Sequence, residues 1–190
     1  DIARNLLDED LIQAVKHTME RLHGSYSLTI MHDESVIGVR DPQGNRPLCL
    51  GRLDDGYVLA SESTVIDTLG GELIRDVEPG ELIVLDTDGT GYDSYQLVDQ
   101  PNTAHCFFEH VYFARPDSVI DDNLVYEVRR NLGRKLWEES GIESDVVLPV
   151  PDSGRAFASG YADAASETTA DGEPRAEDDD GVRFAEGLMK

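Results

Sequence analysis

Five short segments hold residue types able to do chemistry. The run Val147-Leu148-Pro149-Val150-Pro151-Asp152-Ser153-Gly154 brings an apolar stretch to a short polar loop at the start of a helix. The N–H groups of a helix start, with the Ser153 hydroxyl, suit a phosphate or another anion. A plain cap, with Asp152 or Ser153 at the N-cap position, accounts for the same pattern. No Walker-type glycine-rich loop accompanies it. Tyr112-Phe113-Ala114-Arg115-Pro116-Asp117-Ser118 joins an aromatic run to a turn with an Arg and an acid. That combination offers a ring face for a nucleobase and a guanidinium for a phosphate, or simply an Arg115–Asp117 turn contact. Cys106 lies between His105 and the Phe107-Phe108-Glu109-His110 run. The spacing matches no single-segment zinc site, and a buried thiol among aromatics fits as well. A catalytic Cys–His pair would need a third orienting residue, which the sequence does not identify. Asp41-Pro42-Gln43-Gly44-Asn45-Arg46-Pro47-Leu48 is turn chemistry from which Arg46 projects, functionally or as a surface corner. In Ala60-Ser61-Glu62-Ser63, Ser61 is placed to cap a following helix, with Glu62 in its first turn.

The elements that position these residues change character along the chain. Ile2, Leu6, Leu11, Ile12, Val15, Met19 and Leu22 recur near a helical period, with an N-cap at Asp8 or Asp10. From Gly24 to Leu97 the pattern becomes short β-runs: 25–31, 35–40, 46–51, 57–61, 81–86 and 92–97, with a short helix after Glu62. This half reads as antiparallel β with a flanking helix. Asp99-Gln100-Pro101-Asn102 marks a boundary, which predicts domains at 1–98 and 99–190. Beyond it come a helix over 123–140 with Leu124, Val128, Leu132 and Leu136 on one face, and Gly141 as its C′ residue. A buried strand over 145–150 and a helix over 155–165 follow. Helix, strand, loop, helix opens an α/β layout, so the whole reads as α+β then α/β. The acidic, low-hydrophobicity stretch 166–181 reads as a solvated insertion.

Composition narrows the class. The 190 residues carry 39 acids against 16 bases, a net charge of −23. Nucleic-acid backbones and anionic membrane surfaces call for the opposite sign. No apolar run reaches membrane-spanning length, and no signal-peptide pattern opens the chain. Lys occurs only at positions 16, 135 and 190, the other bases being Arg. An acid-rich, Lys-poor surface suits a salt-rich cytoplasm, where screening relieves self-repulsion. An ordinary acidic protein has the same sign of charge. Two cysteines, Cys49 and Cys106, make no disulfide framework and fit a reducing cytosol. Both ends look cut.

Together the motifs resemble amidophosphoribosyltransferases, the glutamine phosphoribosylpyrophosphate amidotransferases. The matching segments are Gly24-Ser25-Tyr26-Ser27-Leu28, Asp41 to Leu48, Ala60 to Ser63, Val77-Glu78-Pro79-Gly80-Glu81, Phe108 to Ser118, Val150 to Ser153 and Gly187-Leu188-Met189-Lys190, in family order. The Tyr112–Ser118 run is specific to that family. The Asp41–Leu48 and Ala60–Ser63 runs are shared with other class II amidotransferases.

The resemblance implies the C-terminal part of an N-terminal-nucleophile glutaminase domain, then the start of a type I phosphoribosyltransferase domain. It implies a transferase of purine biosynthesis that takes glutamine, phosphoribosyl pyrophosphate and water to 5-phosphoribosylamine, glutamate and pyrophosphate. Ser153, Lys190 and Tyr112 match positions that contact inhibitory purine nucleotides. Cys106 matches the first of four thiolates around a [4Fe–4S] cluster in cluster-bearing members. Magnesium and homo-oligomer formation are further expectations. The family nucleophile and the ribose-phosphate loop have no counterpart in this sequence, so a central fragment without catalysis of its own is expected, with no catalytic residue in it. The rival readings are another class II amidotransferase and a non-catalytic nucleotide-binding protein.

Overall fold

The computed structural model describes residues 2, 10–32, 35–86, 88–99, 101–176, 179 and 181–189. They form two compact units, Asp1–Cys106 and Phe107–Lys190. The division falls later than the composition change at Val98. The amides of Ala104 and Cys106 donate to the carbonyls of Gln43 and Asn45, at 2.8 and 3.2 Å, which ties this stretch to the first unit.

The first unit is layered. Helix α1 (Leu11–Met19) begins at Asp10, whose side chain accepts the Gln13 N–H. One sheet has the order β1-β2-β6-β7 (Ser27–His32, Ser35–Arg40, Glu81–Leu85, Tyr92–Gln96). The other has the order β4-β3-β5 (Gly56–Ala60, Cys49–Leu53, Glu72–Asp76). Every pairing in both is antiparallel. Strand alternation explains the stacking. Ile37, Val39 and Leu82 turn one way and pack on Val15 and Met19 of α1. Ile83 and Leu85 turn the other way and meet Leu48, Leu50 and Val77. Cys49 and Ala60 face outward again onto Ile66 of α2 (Ser63–Thr68). The order is therefore helix, sheet, sheet, helix. Two glycines allow the close approach. A Cβ on Gly38 would strike Leu59, and one on Gly51 would strike Ile66.

Two expectations change here. Strand β5, pairing with β3, was not expected from the sequence. Glu62, not Ser61, occupies the N-cap position of α2, and its side chain makes no capping hydrogen bond there.

The second unit opens with a π turn over Glu109–Phe113 and a two-residue-strand hairpin, β8 (Val119–Ile120) and β9 (Asn123–Leu124). Helix α3 (Val125–Ser140) follows and ends on Gly141 in the left-handed conformation, as the sequence indicates. Its buried stripe is Val125, Arg129, Gly133 and Trp137 rather than the expected Leu124–Leu136 face; Leu124 and Leu136 are exposed. At Gly133 the reason is the crossing with helix α4 (Gly154–Glu167), whose backbone leaves no room for a side chain. The strand expected over 145–150 shrinks to β10 (Val146–Val147), pairing in parallel with β11 (Arg183–Phe184). Pro149 and Pro151 have no N–H to extend a ladder, and Val146, Leu148 and Val150 are exposed instead of buried.

The described residues of the acidic stretch are strapped down rather than free. Helix α4 absorbs its first residues. Arg175 Nε donates to the carbonyls of Ala165 and Thr168 at the helix end, at 2.6 and 3.2 Å. Ser166 bonds both backbone groups of Val182. Among the described residues, no helix is long and apolar enough to cross a membrane.

Candidate functional sites

In the first unit a pocket of about 480 Å³ is lined by Ser25, Tyr26, Ser27, Arg46, Pro47 and Ser61. Its rim is the 41–47 loop, and two adjacent buried charges hold that loop. Asp41 takes N–H groups: Oδ1 accepts from Gln43 and Asn45, at 2.9 and 3.2 Å, and Oδ2 from Arg46, at 3.1 Å. Arg40 takes carbonyls: Nε bonds Arg46, Nη2 bonds Gly44 and Nη1 bonds Val77, at 3.0, 2.9 and 2.8 Å. One side chain thus satisfies the loop's donors and its neighbour the acceptors. Gly44 sits at φ +61, where a side chain is strained, and a Cβ there would also strike Pro79.

Ser27 adds hydrogen bonds to the carbonyls of Arg46 and Pro47. The Tyr26 hydroxyl is buried with no hydrogen-bond partner, and burial, helped by the Asp41 charge, pushes its pKa up to about 12. Arg46 is therefore at the pocket as its position suggested, and Ser61 lines the pocket instead of capping α2. Arg40 was missed, and Asp41, which shapes the site with it, was noted only as the first residue of the turn. Their one signal was an ion-type pair at the end of an apolar strand, just before Pro42.

In the second unit a pocket of about 320 Å³ brings together Tyr112, Arg115, Tyr126, Arg129, Asp152, Ser153 and Arg155. Two of the singled-out segments thus reduce to one site, since Tyr112 and Arg115 of one and Ser153 of the other share it. Tyr112 is exposed and meets Phe113 edge-on, centroids 6.0 Å apart. Arg115 forms a two-pronged bond to Asp117, 3.1 Å for each prong. That pairing holds the Asp117 carboxyl below the usual carboxylate range, against a small opposing effect of burial. The turn contact is thus present, and Arg115 also lines the pocket. Arg155 reaches Asp152 at 3.3 Å and Glu186 at 3.0 Å.

The helix start is not an open set of donors, as the anion reading assumed. The Gly154 N–H bonds the Val150 carbonyl and the Arg155 N–H bonds the Asp152 carbonyl. Ser153 is already in helical conformation and its side chain caps nothing, which leaves the hydroxyl to the pocket. Sequence reasoning missed Tyr126 and Arg129.

Cys106 is half-buried and ends the first unit. Cys49 is buried, its thiol bonding the Ala60 carbonyl. Two thiols do not by themselves supply the four thiolates of an iron–sulfur cluster. Among the described residues no three His, Cys, Asp or Glu side chains gather as a metal set. Lys190 lies outside the described residues.

Helix, sheet, sheet, helix layering with antiparallel sheets is the architecture of an N-terminal-nucleophile glutaminase. In agreement, the sequence model of the glutamine amidotransferase domain matches residues 2–68. Over its whole length the chain resembles amidophosphoribosyltransferases. It is 44% identical over 190 residues to that of Archaeoglobus fulgidus, covering all of this chain and 38% of the relative. It is 39% identical over 189 residues to that of Mycobacterium tuberculosis, covering 32% of it. Among solved structures, glutamine phosphoribosylpyrophosphate amidotransferase from B. subtilis, complexed with ADP and GMP, superposes with a TM-score of 0.83 at 36% identity. That match covers 96% of this chain and 36% of the other. A structure described as the allosteric regulatory enzyme of purine biosynthesis gives a TM-score of 0.85 at 35% identity, over 100% and 38%. The chain spans less than two fifths of the length of each of these proteins.

Proposed function

We propose that this chain serves within a glutamine-dependent amidophosphoribosyltransferase. The reaction takes place in two halves. Water cleaves the glutamine side-chain amide to glutamate and ammonia. Ammonia then forms a C–N bond at C1 of phosphoribosyl pyrophosphate as the C–O bond to pyrophosphate breaks, giving 5-phosphoribosylamine. The first unit, with its polar pocket and matching glutamine amidotransferase domain, supplies part of the glutaminase. The second supplies part of the phosphoribosyl half and a site for inhibitory purine nucleotides.

The observation that carries the second assignment is the convergence of Tyr112, Arg115 and Ser153 on one pocket. Tyr112 offers its ring to a base. Ser153 donates its hydroxyl to a phosphate, and Arg115 and Arg155 supply positive charge. Lys190 is assigned to the same phosphate on its match alone. Magnesium would shield the diphosphate charge, and its ligands lie outside this set of residues. Cys106 is assigned at most one thiolate of a cluster completed from elsewhere.

The protein that carries the chain is proposed to work as a homo-oligomer in a salt-rich cytoplasm. The net charge of −23 supports the salt and argues against nucleic-acid partners. Calorimetric titration of the chain with GMP in concentrated KCl tests the nucleotide site. Saturable binding that weakens on Ser153→Ala and Tyr112→Ala is expected. A folded chain that takes up no GMP overturns that assignment.

A further inference from the structure

Arg129 is 3% exposed, on the buried stripe of α3. Its Nε donates to the His110 carbonyl at 2.5 Å and its Nη2 to the Ala114 carbonyl at 2.8 Å. Those are the second residue of the π turn and the residue that ends it.

The turn itself explains why His110 needs a donor. In an α-helix the Ala114 N–H closes on the carbonyl four residues back, that of His110. Here it closes on Glu109, five back, at 3.0 Å. The wider register releases the His110 carbonyl, and the guanidinium occupies it. A second contact has the same period: Phe108 and Phe113, five residues apart, lie with ring centroids at 6.0 Å.

We propose that Arg129 is a positioning residue. It holds residues 109–113 in the π register and so sets the pocket wall made by Tyr112 and Arg115. The two registers differ by one residue, which is about 100° of rotation about the turn axis. In the α register the 112–115 segment would present a different face to Ser153. A neutral side chain of similar length would leave the His110 carbonyl to recapture the Ala114 N–H. Lys cannot replace Arg fully, because one ammonium on a flexible stem does not span two fixed carbonyls as a planar fork does.

This inference rests on the nucleotide reading of the pocket for its consequence, not for its geometry. The test uses the full chain, with Arg129→Met, Arg129→Lys, Tyr112→Ala and the Arg129→Met/Tyr112→Ala pair. Two readouts are taken: the crystallographic register of residues 109–114, and the GMP dissociation constant by calorimetry. In Arg129→Met the Ala114 N–H is expected on the His110 carbonyl. GMP should then bind about tenfold more weakly, with Tyr112→Ala adding less than about twofold on that background, because the two act through one wall. Arg129→Lys should give the same changes in smaller measure, and it carries the test if the Met variant does not fold. A π register that persists in Arg129→Met, or an Arg129→Lys chain that matches the wild type in both register and GMP binding, overturns the proposal, as do losses at positions 112 and 129 that simply multiply. A wild-type chain that binds no GMP sinks the nucleotide reading instead, and the register alone then decides the role of Arg129.

Discussion

Gly133 of α3 lies directly against the backbone of Phe157 in α4: a Cβ on this glycine would collide with the Phe157 carbonyl oxygen. Gly160 repeats the arrangement in reverse against the Arg130 carbonyl. The two helices cross with their backbones in contact, flanked by the Arg130–Asp163 and Arg134–Glu167 ion pairs. Helix α3 carries Arg129 and α4 begins at the Ser153 loop, so this crossing fixes the spacing of the second-unit pocket. Gly133→Ala should destabilise that unit by about 2–3 kcal/mol, as overpacking of a tight contact does. Urea unfolding of the variant checks this, and Arg134→Ala, which removes only a partly exposed pair, should cost well under half as much.

The Glu81 carboxylate is buried and receives both arms of Arg75 at 2.8 and 2.6 Å, the Ser94 hydroxyl and the Glu78 N–H. Burial pushes its pKa up, but these donors outweigh burial and hold it below the ordinary glutamate value. A depressed folded-state pKa gives stability that is present above the unfolded value, about 4.3 for Glu, and is lost as the pH falls through the folded value. Glu81→Gln should cost about 2–3 kcal/mol near neutrality, since it leaves Arg75 without its partner. Its stability should also depend less on pH in the acid range than the wild type's. A parallel pair of pH–stability curves would contradict the assignment.

Asp41 holds three N–H groups of the 41–46 loop with one carboxylate. Asp41→Ala leaves those donors unmet at a fully buried position, and a loss of about 2–4 kcal/mol is expected. Asp41→Asn retains one acceptor oxygen and should lose less. Thermal melting of the two variants ranks them.

The two thiols should differ sharply in reactivity. Burial, with the Asp76 charge, pushes the Cys49 pKa up to about 12, and its thiol bonds the Ala60 carbonyl within the core. Cys106 is partly accessible. Iodoacetamide under native conditions should label Cys106 and spare Cys49 until the chain unfolds. Peptide mass mapping reads the outcome.

What the sequence showed and what it hid have physical causes. Strand β2 emerged at its observed bounds because Val36, Ile37 and Val39 make a compact β-branched run, and Gly141, which takes a left-handed φ, marked the end of α3. Strand β5 stayed hidden because Glu72, Arg75 and Asp76 surround a short apolar pair, so its identity comes from pairing with β3. The buried face of α3 was misjudged because hydrophobicity marks Leu124 to Leu136, whereas the crossing selects for small size at Gly133. Tyr112 and Ser153 were visible as chemistry. Arg129 was not: beside Arg130 it reads as a solvated charge, and its role depends on carbonyls released by a π turn that no local propensity encodes.

The account rests on glutamine and phosphoribosyl pyrophosphate being joint substrates of the protein that carries this chain. The most direct measurement is glutamate release by that native protein, purified in concentrated KCl, with and without phosphoribosyl pyrophosphate, while nitrogen-15 is followed from the glutamine amide. The account predicts glutamate release coupled to transfer of the label onto C1 of the ribose phosphate, with pyrophosphate appearing in equal amount. Label that never reaches phosphoribosylamine, or a native protein that leaves both substrates untouched, would contradict it.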